Sequence, residues 1–378
     1  MDDTTRQDWQ RRATDFAAKA IAPRAAALAT AERPPEELWR AFADAGLFGL
    51  GLPPAHGGAG GDFRVLAGVA EAMVAAGGNM GLVLSWLSHQ LIAGMHIAGH
   101  GSPAQQAAWL PRLAAGEVTP CLAVSEPDAG AHPKHLKTRA ERDGEDIVLN
   151  GRKAYLTNGP LAGLFLVLAI SGEAERRKQF SVYLVPRDTP GLSLTEGVPV
   201  DFLKPSPHCG LALHGCRLRA ASRLGPEGGA MAAISLPMRR AEDALFAATT
   251  AGALRHALRL LAGDAEPAWA DADTAELGRL AAAAEGLSAL AGRAAALLDH
   301  DDPDRVPALS AAARDWAGSL VPRLAALAAA RPAAPPVLAF LLRDLEGTLS
   351  IAGTAREIQA RQRGESLLQQ AAEETARG

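Results

Sequence analysis

The stretch SEPDAGAHPKHLKT, Ser125 to Thr138, follows a short apolar run, CLAV. It brings an acid, a proline, a small-residue turn and basic or imidazole side chains to the exit of a strand. Strand exits are where sheet proteins present backbone amides and hydroxyls to a ligand. A second stretch, GEDIVLNGRKAYLTNG, Gly144 to Gly159, follows it. Far downstream, Glu346 stands in RDLEGTLSI after Leu338, Phe340, Leu341, Leu342 and Leu345. That spacing predicts an apolar helix ending at Gly347, with a carboxylate at a helix end beside a turn. On its own, Glu346 reads as a solvated acid before a helix stop.

Other clusters point to no chemistry of their own. His132 and His135 lie three apart, but no cysteine or acid completes a tetrahedral set, so no metal is expected. In HCGLALHGC, a strand puts His208, His214 and Cys216 on one face and Cys209 on the other, without C-x-x-C spacing. The glycines of HGGAGGD, ending at Asp62, lack the strand-to-helix unit of a dinucleotide loop and read as a flexible turn.

The elements that must position these residues fall into three zones. Residues 1–115 carry apolar residues at three and four spacing, as in PPEELWRAFADAGLFGLGL and FRVLAGVAEAMVAAG. MGLVLSWLSHQLIAGMHIAG is apolar nearly all round and is expected to be buried. Residues 116–223 change to short apolar runs such as TPCLAVS, LFLVLAI and QFSVYLV, split by NGP, SGEAERRK and RDTPG. That is the pattern of an antiparallel barrel or sandwich. Residues 224–378 return to helix, rich in alanine and leucine, and are interrupted by AARPAAPP.

The whole chain has 378 residues, 48% hydrophobic and 21% charged, with a formal net charge of −4. That composition is globular and multidomain. The acidic balance with no long basic run argues against nucleic acid. Three cysteines, Cys121, Cys209 and Cys216, form no even framework and suggest a reducing compartment. The charged first residues show no secretory signal, and the longest clean apolar run, LFLVLAI, is far short of a bilayer span. A cytoplasmic protein is expected.

LWRAFADAGLFGLGLPPAHGGAGGD, GSPAQQAAWLPRLAAGEVTPCLAVSEPDAG, LNGRKAYLTNG and LEGT, in this order and spacing, resemble the acyl-CoA dehydrogenase family. The likeness is strong over residues 36–228 and thinner afterwards. It implies an α+β multidomain fold: an N-terminal helical domain, a middle antiparallel β-barrel and a C-terminal four-helix bundle. It also implies an oxidoreductase of fatty acid metabolism, with FAD as cofactor, an acyl thioester as substrate and usually a homotetramer as assembly. In this resemblance, Ser125 takes the place of the hydroxyl that bonds the flavin ring, and Thr157 that of the threonine near flavin N5. Tyr155 replaces the tryptophan that flanks the ring, and Val124, Gly130 and Ala131 complete the cofactor strand exit. Glu346 matches the base that takes the α-proton, and Arg240 and Gly347 fall at substrate positions. The α C–H is a weak acid, so such a base needs a desolvated pocket that raises its pKa. The β-hydride goes to the flavin.

The chain also departs from the family. Ala131-His132 replaces a Ser-Asp pair expected after DAG. DAEPAWADADTAELGRL, Asp264 to Leu280, carries acids in place of an Arg-x-x-Phe-Gly motif that grips a neighbouring subunit's FAD. AARPAAPP replaces a glutamine and Gly-Gly loop. FAD is therefore expected to be weakly held. Two alternatives follow: a non-catalytic or half-active partner of a related subunit in a hetero-oligomer, and a flavin monooxygenase, which Glu346 argues against. Acyl chain, carrier (CoA or carrier protein) and electron acceptor are not legible in the residues.

Overall fold

The computed structural model describes residues 1–263, 268–300, 302–331, 334–351 and 353–377. Six helices come first: α1 (Asp3–Phe16), α2 (Ala25–Leu28), α3 (Glu36–Asp44), α4 (Phe63–Gly77), α5 (Met80–Leu91) and α6 (Pro103–Ala114). Their starts are set by side-chain caps. The Asp62 carboxylate accepts from Val65 N, the Asn79 side chain from Leu82 N, and Ser102 forms a reciprocal capping box with Gln105. Helix α5 is buried along its length, as its all-round apolar pattern predicts. Gln90 on α5 donates to the carbonyls of Leu47 and Phe48 and accepts from Gly51 N.

The glycine run forms the expected turn, closed by backbone hydrogen bonds. Gly60 and Gly61 donate back to the carbonyls of Leu52 and Leu50, and a Cβ on Gly58 would lie 2.0 Å from the Leu52 carbonyl oxygen. Glycine is there because two backbones touch.

Eight strands follow: β1 (Thr119–Ala123), β2 (Arg139–Asp143), β3 (Asp146–Thr157), β4 (Ala162–Ala174), β5 (Arg177–Pro186), β6 (Leu192–Thr195), β7 (His208–Arg219) and β8 (Arg223–Leu224). They form one sheet in the order β6-β7-β3-β2-β4-β5-β8, with β1 beside β4. The sheet is not closed into a barrel, and β4 takes β1 and β2 as parallel neighbours. The expected fold class holds; the closed, wholly antiparallel barrel is corrected to an open mixed sheet. LFLVLAI lies in β4 and shows why a strand can be apolar throughout. Leu164, Leu166, Leu168 and Ile170 face the helical core, while Phe165, Val167 and Ala169 face a second core with Leu149, Leu211 and Leu213.

The chain then forms α7 (Leu236–Ala262), α8 (Asp271–Asp299), α9 (Val306–Ala329), α10 (Pro336–Ser350) and α11 (Gly353–Arg377). Helix α9 stops at the proline-rich segment. Helix α7 packs closely on α4: a Cβ on Gly252 would lie 2.5 Å from the Glu71 carbonyl oxygen. Helix α8 is long and apolar enough to cross a membrane by length and composition, but Leu280, Ala284, Leu287 and Ala291 are buried in the helical core. These helices form the C-terminal helical part of the expected fold, with five of them among the described residues. On α11, Leu367 and Leu368 are 63% and 74% exposed.

Candidate functional site

The predicted ring-side residues meet where β1 and β3 leave the sheet. The Ser125 carbonyl accepts from Ala154 N at 2.9 Å, which ties the β1 exit to β3. The Ser125 hydroxyl has no protein partner among the described residues. The β3–β7 ladder slips between Lys153 and Leu156, and Tyr155 sits in this bulge at φ 60° with 45% of its surface exposed. A non-glycine residue in the left-handed region costs about 1–3 kcal/mol and persists where the surroundings impose it. The bulge turns an aromatic ring outward beside Ser125. Gly130, at φ 52°, closes the following turn through a bridge to Glu126, and Ala131 is exposed.

Sequence reasoning passed over the pair that holds this turn. Lys153 Nζ lies 2.9 Å from the Val124 carbonyl and 3.1 Å from Glu126 Oε1, and the Glu126 carboxylate also accepts from the amides of Lys137 and Thr138. Both residues are buried. Burial lowers the Lys153 pKa to about 8, with Glu126 working against it. Burial also opposes the Glu126 charge, but Lys153 and the amides outweigh it and leave the carboxyl below its usual range. The signal was present: in the alternation of β3, Lys153 falls on the inward face.

Thr157 makes a second link that the sequence did not show. Its hydroxyl lies 3.0 Å from His208 Nε2, and His208 Nδ1 lies 3.0 Å from the Ser206 carbonyl. A carbonyl only accepts, so Nδ1 carries the proton, Nε2 is the acceptor, and the Thr157 hydroxyl donates to it. The lone pairs of Thr157 are left for another donor. Burial, with the Lys204 charge, lowers the His208 pKa against the Ser206 bond. Next to Thr157, buried Asn158 donates to the Ser85 carbonyl and keeps an unpartnered Oδ1.

Helix α10 approaches the same region through residues 202–207, the segment leading into β7. A Cβ on Gly347 would meet Phe202 Cγ at 2.4 Å, and Leu203 N donates to buried Asp344 at 2.8 Å. Gly347 thus admits the Phe202 ring, and α10 continues past it to Ser350. The expected helix end at Gly347 is corrected: Glu346 is an exposed carboxylate inside a helix, without a hydrogen bond or ion pair among the described residues. Arg240, on α7, pairs with Asp304 at 3.2 Å. Its neighbour Glu242 was missed. Burial and the Asp243 charge push its carboxyl up to about 7, with Arg239 opposing. Two adjacent acids in an alanine-rich helix were the available signal.

The segments that depart from the family meet each other. Residues 264–267, 332 and 333 lie outside the described residues, but Arg331 stacks over the Trp269 ring at 4.2 Å. Among the described residues no group of three His, Cys, Asp or Glu could hold a metal ion; His132 and His135 stack ring on ring at 4.8 Å.

An open Ser125 hydroxyl, an outward Tyr155 and the Thr157 lone pairs form a donor and acceptor set suited to a flat heteroaromatic ring. The ring end of FAD fits it. Comparison with known proteins gives the family. Residues 3–117 match the model of the acyl-CoA dehydrogenase N-terminal domain, and residues 121–216 that of the middle domain. The mitochondrial short-chain specific acyl-CoA dehydrogenase of Homo sapiens is 31% identical over 296 residues, 76% of this chain and 71% of that protein. The chain belongs to the acyl-CoA dehydrogenase family. A mitochondrial isovaleryl-CoA dehydrogenase of Oryza sativa subsp. japonica is 32% identical over 228 residues, 60% of this chain and 55% of that protein. The chain thus spans about half the length of several relatives it matches. The structure of butyryl-CoA dehydrogenase from Megasphaera elsdenii superposes with a TM-score of 0.86 at 21% identity, covering 97% of this chain and 99% of that one.

Proposed function

We propose that this chain is an FAD-dependent oxidoreductase that removes an α-proton and a β-hydride from an acyl thioester. The observation that carries the reading is the convergence of Ser125, Tyr155 and Thr157 at one pair of strand exits, with a free hydroxyl on Ser125. Ser125 and Thr157 would hold the flavin ring, Tyr155 would flank it, and Val124, Gly130 and Ala131 would line its approach. FAD, when bound, supplies the hydride-accepting ring. Glu346, in the matched motif, would take the α-proton, with Gly347 and Arg240 beside the substrate. An efficient base needs water excluded around it, so substrate or a neighbouring subunit must cover Glu346. A dimer or tetramer through the C-terminal helices would do so.

Glu242 is a second candidate for the base, favoured by one observation: its carboxyl, at about 7, is tuned for proton transfer near neutral pH. The deciding experiment is anaerobic flavin reduction by a panel of acyl-CoAs in the wild type, Glu346→Gln and Glu242→Gln. Loss of about 10²-fold or more in one variant, with flavin content kept, identifies the base. A protein that takes up no flavin would overturn the enzyme reading in favour of a partner subunit.

A further inference from the structure

A cavity of about 620 Å³ opens beside the Ser125–Thr138 turn, between that turn and β3 at Gly151 and Arg152. Lys134, Lys137, Arg152 and Lys178 line it. Lys178 is committed to the fold: its ammonium donates to the carbonyls of Lys134 and Leu136. The side chains of Lys134, Lys137 and Arg152 have no carboxylate and no acceptor among the described residues. Two acids share the wall. Glu126 is neutralised by Lys153, which leaves Asp128 against three free cations. Such a concave, net-positive wall selects an anion, and an arginine among the cations suits phosphate oxygens.

Position sharpens the ligand class. Arg152 and Tyr155 lie three residues apart on β3, about 10 Å at strand rise. A ligand with an aromatic ring at Tyr155 and a diphosphate roughly one linker away would reach both. Resting on the flavin reading above, we propose that this cavity binds the diphosphate of a nucleotide ligand, held in cis by Lys134, Lys137 and Arg152. It would offset the acids that stand in the C-terminal segment 264–280, where the family's arginine motif is replaced. Two ligands carry this group: FAD and the CoA of the thioester.

The test uses the full-length protein and the variant Lys134→Ala/Lys137→Ala/Arg152→Ala, with circular dichroism as the fold check. FAD, riboflavin, CoA and inorganic pyrophosphate are titrated separately. At least tenfold weaker FAD binding with riboflavin unchanged assigns the cavity to the cofactor. At least tenfold weaker CoA binding with FAD unchanged assigns it to the substrate. Pyrophosphate competes in the wild type in either case, and Arg152→Lys retains most of the affinity. If the variant binds FAD, CoA and pyrophosphate as the wild type does, the proposal is overturned. If neither flavin binds the wild type, the flavin reading fails by itself, and the pyrophosphate titration alone decides the cavity: loss in the variant supports it, and no binding to the wild type overturns it. Should the triple variant not fold, Lys137→Glu, confined to an exposed side chain, is titrated in its place with the same outcomes.

Discussion

Lys153 and Glu126 form a buried ion pair, 3.1 Å between Nζ and Oε1, and it joins the strand carrying Tyr155 and Thr157 to the turn that follows Ser125. Removing one partner leaves a buried charge without compensation, which costs about 3–5 kcal/mol. Lys153→Met should therefore lower the unfolding free energy measured in urea by that amount and weaken flavin binding as the turn loses its anchor. A variant as stable as the wild type would show that the pair is not closed in solution.

FAD should be retained only in part. With two C-terminal contacts of the family replaced, the purified protein is expected to lose flavin on gel filtration. Excess FAD at 100 times its Kd should add about 2.7 kcal/mol of stability and raise Tm. Ser125→Ala/Thr157→Ala should abolish that shift and lower the melt without FAD only by the lost Thr157–His208 bond, about 1 kcal/mol. Flavin that stays bound through dialysis would contradict the weakened site.

Acid should destabilise the fold through its histidines. Burial lowers His89 and His96 to about 3, and lowers His208 as well. The unfolded chain takes up protons near pH 6.5 that these rings refuse when folded. Stability is therefore fully present above about pH 6.5 and falls as pH drops below it, by about 1.4 kcal/mol per pH unit for each of His89 and His96, with His208 acting in the same direction. Urea unfolding from pH 7.5 to 5 measures the slope. His96→Gln should reduce it by one proton's worth, and an unchanged slope would refute the assignment.

Glu242 has the opposite sign. Its folded pKa, about 7, lies above the unfolded value, so its share of stability is fully present below about pH 4.5 and is lost as pH rises through 7. Glu242→Gln should stabilise the protein at pH 8 by roughly 1–3 kcal/mol. At pH 4.5 the two proteins should be alike. A variant destabilised at pH 8 would mean that the charged carboxylate has a partner of its own.

Assembly should run through the C-terminal helices. Leu236, Trp316, Ile351, Ile358, Leu367 and Leu368 are large apolar residues left exposed, all in this part of the chain. A dimer or tetramer is expected in sedimentation at micromolar concentration, and Leu367→Asp/Leu368→Asp should shift it toward monomer. A monomeric wild type would exclude the interface.

The sequence by itself determined what repeats locally. Period-3.6 patterns mark the helices before Thr119, short apolar runs mark the strands to Leu224, and the strand exits at Ser125 and Thr157 are legible as motifs. Only the tertiary structure decided what faces these elements. LFLVLAI is one apolar run in sequence, yet its alternate residues serve two different cores. Gly347 reads as a helix stop because glycine often is one; in the fold it is the space that Phe202 fills, so the helix runs on and Glu346 stays exposed. Lys153 and Glu126 are 27 residues apart and ordinary in composition. Their burial, their pairing and the bulge that turns Tyr155 outward come from the register of β7 against β3 and from the Ser125–Ala154 bond that ties the β1 exit to β3. A side chain's pKa and exposure depend on what the rest of the chain packs opposite it, and no local pattern carries that information.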